Sequence, residues 1–306
     1  MAVEIVSVPG AGSIKVAYER LGDPAMPPVL LVMGLGMQML GWPDEFCAAL
    51  VGRGLHVIRF DNRDVGLSTH LHGAREPDLM AAFSGDTSSA SYKLSEMASD
   101  AVGLLDALEL DSAHVVGASM GGMIAQTIAI EHPARVRSLT SIMSTTGDRA
   151  VGQATQRAIE AILSPPASSR QGAIDRAVSV FRAIGSPGFE FDEAGVRDRA
   201  GRSYDRANDP TGVSRQLLAI LASPDRTQRL RSLRVPTLVL HGADDQLVNV
   251  SGGRATAQAI PGAELLVFEG MGHDLPHALW PQMTQRIADL VARVETQRGE
   301  RPALKR

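Results

Sequence analysis

Three short segments of this 306-residue chain combine residue types that together could form and break a covalent bond. The first is Gly117-Ala118-Ser119-Met120-Gly121-Gly122, the only G-x-S-x-G match in the chain, placed after the apolar run Ala113–Val116 and before a helical stretch. Such a turn from strand to helix lifts a serine hydroxyl clear of the backbone, and side chains at positions 117 and 121 would collide with the neighbouring helix and strand. A serine hydroxyl is a poor nucleophile at neutral pH, so Ser119 needs a base, and the base needs an acid to hold its tautomer. Glu269-Gly270-Met271-Gly272-His273-Asp274 offers the base: two glycines let the loop double back and present His273, with His277 the nearest competitor. The acid lies in His241-Gly242-Ala243-Asp244-Asp245-Gln246, where adjacent side chains diverge so that only one carboxylate can reach the imidazole. The residues alone leave Asp244 and Asp245 open, with Asp148 as a further source. An oxyanion needs two converging N–H groups. Met120 supplies one, at a helix N-terminus, and Leu35 the other, because Gly34 lets the backbone turn its amide toward the site. Gly34-Leu35-Gly36 does not extend to a dinucleotide fingerprint, since Met39 stands where the third glycine belongs. His70-x-His72 and His273-x3-His277 have no third ligand at suitable spacing, so neither a metal nor a cofactor is expected.

These segments must be carried by strands, since ligands of parallel sheets bind beyond the carboxyl ends of the strands. Pro28–Met33, His56–Phe60, Ala113–Val116, Val136–Ser144, Pro236–Leu240 and Ala263–Phe268 read as strands. Helices are predicted over Trp42–Arg53, from Ser95 and Glu96 to Leu110, over Gly121–Glu131, and from Pro281 to Thr296, while Leu71–Lys93 reads as a loop with one short helix. Strands alternating with helices imply a mostly parallel sheet covered on both faces. Residues 147–232 break the pattern with several helices and no strand. Ser119 lies before the break and the Asp244-Asp245 pair and His273 after it, so the site closes only if residues 1–146 and 233–306 build one core domain and 147–232 form a helical insertion. That insertion brings Phe181, Phe189, Phe191 and Tyr204, from which a largely apolar pocket is expected, with Gly34, Phe181 and Phe189 against the substrate.

Composition excludes several classes. The net charge is -4, only Lys15, Lys93 and Lys305 are lysines, and the arginines alternate with acids, so nucleic acid has no footprint. The single cysteine, Cys47, forbids an internal disulfide and sits in an amphipathic stretch as a small buried hydrophobe. No segment approaches the roughly 20 apolar residues of a membrane span, and the start lacks a secretion signal, so a soluble cytoplasmic protein is expected.

With these residues in hand, the chain resembles the α/β-hydrolase fold family over nearly its whole length. Val115 to Gln126 looks like that family's nucleophile elbow and following helix, and Phe60-Asp61-Asn62-Arg63-Asp64-Val65-Gly66-Leu67-Ser68 looks like its D-x-R-G-x-G-x-S loop. Within it the chain is most similar to actinobacterial esterase/lipases and the aclacinomycin methylesterase group, which share Gly41-Trp42-Pro43-Asp44-Glu45-Phe46 and Gly270-Met271-Gly272-His273. The resemblance implies an eight-stranded sheet with a helical cap between strands 6 and 7, and it selects Asp245 as the acid. It also implies a serine esterase with a small-molecule ester substrate of small to medium apolar acyl group. Methylesterase, lactonase, C–C bond hydrolase and perhydrolase chemistry, or a slow-turnover ligand sensor, are the alternatives. Two positions depart from the pattern: the common His-Gly before the oxyanion residue is Met33-Gly34, and the loop glycine after Arg63 is Asp64.

Overall fold

A computed structural model describes residues 2–8 and 14–300. In chain order the elements are β1 (Glu4–Val8), β2 (Ile14–Leu21), β3 (Pro28–Val32), α1 (Asp44–Val51), β4 (His56–Phe60), α2 (Leu79–Phe83), α3 (Leu94–Ala107), β5 (Ala113–Ala118), α4 (Met120–Glu131) and β6 (Val136–Ile142). Five helices follow: α5 (Gln156–Ile162), α6 (Arg170–Ile184), α7 (Glu193–Arg206), α8 (Pro210–Ala222) and α9 (Thr227–Leu230). The chain then completes β7 (Thr237–Gly242), α10 (Ser251–Ala259), β8 (Glu264–Phe268) and α11 (Trp280–Glu300).

The eight strands form one sheet in the order β1-β2-β4-β3-β5-β6-β7-β8. Strand β2 runs antiparallel to both β1 and β4, and every other pairing is parallel, as the alternation of strands and helices requires. Strands β3, β4 and β5 are buried along their full length, which is why they read as continuous runs instead of alternating patterns. Two apolar clusters cover the two faces. One joins α3 and α4 to the strands through Leu30, Ile58, Leu104, Val115 and Ile124, and the other joins α1 and α11 through Leu31, Trp42, Phe46, Val116, Leu240 and Ile287.

Local chemistry sets the helix ends. Helix α1 is shorter than the predicted Trp42–Arg53, because Pro43 occupies its N-cap and a separate 3₁₀ turn holds Met39–Gly41. Helix α3 starts at Leu94, one residue before the predicted Ser95, with the Glu96 carboxylate accepting the Lys93 N–H at 2.8 Å. In α8, Asp209 caps the helix by accepting the Gly212 N–H at 2.9 Å, and Pro210 fills the first turn, where a missing N–H costs nothing.

Burial pushes the Cys47 thiol up to about 12, so it behaves as a packing group. Among the described residues no helix is long and apolar enough to cross a membrane.

Candidate active site

Ser119 sits at the junction of β5 and α4 with φ 56 and ψ -122, a conformation that costs on the order of 1–3 kcal/mol outside glycine. The surroundings impose it. Its N–H donates to Ile142 O at 2.9 Å, and its own carbonyl accepts the Gly122 N–H at 2.9 Å and the Ser144 hydroxyl at 2.8 Å. A Cβ at Gly117 would lie 2.0 Å from Gly121 O, and one at Gly121 would lie 2.0 Å from Val32 O, so β3, β5 and α4 can approach this closely only with glycine at both positions.

Asp245 and His273 arrive on the loops after the parallel strands β7 and β8. A Cβ at Gly242, the last residue of β7, would stand 2.1 Å from Met271 O, and glycine lets the loop after β8 press against that strand end. His273 Nδ1 donates to Asp245 Oδ2 at 2.7 Å, and Ser119 Oγ lies 2.9 Å from His273 Nε2. A carboxylate only accepts, so the proton sits on Nδ1 and Nε2 is left to take the serine proton. The other Asp245 oxygen accepts the N–H groups of Leu247 and Val248 at 2.9 and 2.8 Å. Asp245 and His273 are buried, whereas Ser119 is partly open.

Each competing candidate is engaged elsewhere. Asp244 accepts the Gly270 N–H at 2.9 Å, Asp148 accepts the Ala150 N–H within its own turn, and His277 packs edge-on against Trp280 at 4.5 Å.

Two backbone donors stand beside the serine. A Cβ at Gly34 would come within 3.1 Å of Ser119 Cβ, so the turn carrying Leu35 packs directly on the elbow. Among the described residues, neither the Leu35 nor the Met120 N–H finds an acceptor. The loop after β3 is braced without the family's histidine: Asn62 Nδ2 donates to Met33 O at 3.0 Å. Gln216 of α8 accepts the Gly36 N–H at 2.9 Å and donates to Arg63 O at 2.7 Å. Asp64, the second departure, adopts φ 68 and is fully buried. Its carboxylate takes two bonds from Arg215 of α8, both 2.9 Å, and one from the Tyr92 hydroxyl at 2.7 Å. Where the family has a glycine, this chain has an anchor for α8.

Sequence reasoning missed Asn62, Gln216, Arg215 and also His241. Burial holds the His241 imidazole below its ordinary range; its Nε2–H donates to Val248 O at 2.7 Å and stands 3.5 Å from Asp245 Oδ2. It therefore fixes the turn whose amides hold Asp245. Only Asn62 and His241 carried any signal, Asn62 by standing two residues after β4 and His241 by standing at the end of β7.

The histidine loop is also fastened to the insertion. The His273 N–H donates to Ile184 O at 2.7 Å, the Gly272 N–H to Ser186 Oγ at 2.9 Å, and the Gly188 N–H to Gly270 O at 2.9 Å. Ser186 hydrogen-bonds the Asp274 carboxylate, whose acidity burial weakens.

A cavity of about 410 Å³ lies between Leu35 and Gly36, the loop after β4, and helices α5 to α8. Tyr204 and Val213 line it, together with the polar Arg176, Asn208 and Asp209, so its walls are mixed. Phe189 lines a second cavity, of about 570 Å³, with His277 and Trp280, while Phe181 lines neither and Phe191 packs under the Arg182 guanidinium. The two phenylalanines assigned to the substrate therefore do not share the Leu35 cavity.

The family model described as alpha/beta hydrolase fold matches residues 27–277. The chain is 30% identical to rhodomycin D methylesterase of Streptomyces peucetius, over 88% of this chain and 92% of that protein. It is 29% identical to 2-hydroxymuconate semialdehyde hydrolase of Pseudomonas sp. strain CF600, over 70% of this chain and 73% of that protein. Among solved structures, an esterase from Rhodococcus sp. ECU1013 superimposes with a TM-score of 0.72 at 21% identity, covering 97% of this chain and 99% of the other.

Proposed function

The chain belongs to the α/β-hydrolase fold family, and from that premise we propose a serine hydrolase that cleaves carboxylic esters through an acyl-enzyme. The observation that supports it most is the chain of two hydrogen bonds from Asp245 through His273 to Ser119, at 2.7 and 2.9 Å, beside two N–H groups that find no acceptor among the described residues. Ser119 Oγ attacks the ester carbonyl as His273 Nε2 takes its proton, and Asp245 steadies the resulting imidazolium. The Leu35 and Met120 amides receive the charge that develops on the carbonyl oxygen, and they are oriented before the reaction begins. His273 then protonates the departing alcohol, and water attacks the acyl-enzyme with the same imidazole as base. No step calls on a cofactor.

Residues 147–232 act in this reading as a cap over a core made of 1–146 and 233–306. Gln216 on the Gly36 amide and Ile184 on the His273 amide support it, since both tie the insertion to the loops that do the chemistry. The substrate is a small to medium ester with an uncharged acyl group, and similarity to a methylesterase makes methyl esters the first to try. Similarity to a 2-hydroxymuconate semialdehyde hydrolase favours a second reading, C–C bond hydrolysis with the same three residues.

An alkyl phosphonate of variable chain length, combined with a panel of p-nitrophenyl and methyl esters, tests the proposal. Covalent labelling at Ser119 with sustained ester turnover is expected, and Ser119→Ala lowers kcat on the order of 10⁶-fold. Near-normal activity of that variant sinks the assignment. Labelling followed by negligible steady-state release points instead to a slow sensor.

A further inference from the structure

We propose that His70, His72 and Asp209 form a site for a zinc-class divalent cation, which clamps the loop after β4 to the start of α8. The sequence shows only a His-x-His pair, and the fold supplies the third group from 137 residues beyond His72. One donor atom from each residue lies within 4.8 Å of the others.

The distances suit a metal. Ligands held at about 2.1 Å in a tetrahedron stand roughly 3.4 Å apart. Here Asp209 Oδ2 is 2.8 Å from His70 Nδ1 and 3.8 Å from His72 Nδ1, so these two edges each need to change by only about half an ångström. The His70 and His72 rings lie nearly parallel with centroids 5.4 Å apart, so the exposed His72 ring must turn to aim its lone pair at the shared cation. The outer contacts suit it too. His70 Nε2 donates to Gly66 O at 2.9 Å, the arrangement that commits the other ring nitrogen of a metal-bound histidine. The other Asp209 oxygen is fixed by the Gly212 N–H.

In the metal-free protein both His70 nitrogens face acceptors, so the 2.8 Å contact to Asp209 holds a proton. The cation replaces that proton: one M²⁺ enters, one H⁺ leaves, and the His72 lone pair completes three protein ligands. Arg215 also reaches Asp209 Oδ2, at 3.3 Å, but Asp64 already neutralises it through two shorter bonds. His72 is 77% exposed, which leaves the remaining coordination position to solvent, and imidazole with carboxylate suits Zn²⁺ better than Mg²⁺ or Ca²⁺. Asp209 caps the helix that carries Arg215 and Gln216, so the clamp bears on the seating of the insertion.

The test is calorimetric titration of the chelator-treated full-length protein with Zn²⁺, together with thermal melting. One equivalent binds to the wild type and raises Tm. His72→Ala, whose side chain is mostly in solvent, keeps the metal-free Tm, loses the Zn²⁺-dependent rise and binds at least about tenfold more weakly, more than removal of an outer partner costs at the low end. His277→Ala, an exposed imidazole outside the cluster, matches the wild type. Equal binding by His72→Ala and the wild type, or a wild type that neither binds nor gains Tm, overturns the proposal. Neither readout depends on ester hydrolysis.

Discussion

Around the eight strands the contacts are mainly apolar, with Leu30, Ile58 and Val115 on one face of the sheet and Leu31, Val116 and Leu240 on the other. The seat of the helical insertion is built otherwise. The insertion lends Ala219 and Leu230 to the sheet's apolar clusters and keeps a small cluster of its own around Ala158, Val180 and Ile184. Its attachment is polar and directional: Arg206 on Asp61 at 2.8 Å, Arg215 on Asp64, Arg226 on Gln126 Oε1 at 3.1 Å, and Gln38 on the carbonyls of Ser203 and Ala207. Apolar burial stabilises without fixing direction, whereas a buried guanidinium must find its partner at one place and angle. The sheet thus contributes bulk stability, and the insertion is held in register.

Changes on the two sides of this divide should behave differently. The largest effect belongs to the strand ends. Asp245→Asn lowers kcat about 10⁴-fold with the fold retained, while Asp244→Asn, which loses only a bond from the Gly270 amide, stays within about tenfold. Steady-state kinetics on a neutral ester checks the ranking, and the reverse order means the acid was misassigned.

Next comes the interface. Asp64→Leu leaves buried Arg215 with only the 3.3 Å contact to Asp209 and costs about 3–5 kcal/mol in urea unfolding, and adding Arg215→Met restores part of it. Leu30→Ala in the sheet costs a similar amount, about 2–5 kcal/mol, but the same second change gives it no relief. Loss of rescue in the first pair, or rescue in the second, erases the distinction.

The smallest effect is one of pH. Burial pushes the His114 imidazole on β5 down to about 4, below its unfolded value near 6.5, so the folded state binds fewer protons. Its contribution is therefore fully present above about pH 6.5 and is lost as pH falls toward 4, by roughly 3 kcal/mol in all. The guanidinium groups at the insertion do not titrate there; even Arg226, which burial lowers to about 10, remains charged. Urea unfolding at pH 7 and 4.5 should show a slope that His114→Gln removes.

Much of the sheet was legible in the sequence because a buried strand writes itself as a run of apolar residues, and β4 lies at the predicted His56–Phe60. The elbow was legible for a related reason, since backbone approaching within 2.0 Å of a would-be Cβ demands glycine at positions 117 and 121. Asp61 with Arg206 and Asp64 with Arg215 were not. Each pair is separated by about 150 residues, and no local period links a carboxylate after one strand to a guanidinium on a distant helix. Asp64 read as a departure from a motif only because its partner was out of view. Phe181 and Phe189 show the same limit: aromatic residues in an insertion announce packing, but not which cavity they face.

The bonds from Ile184, Ser186 and Gly188 to the histidine loop set the order in which this molecule fails. Any motion that swings α6 outward drags the imidazole off the serine. On warming, turnover should fade while the sheet is still intact, and activity becomes the earliest gauge of a loosening insertion.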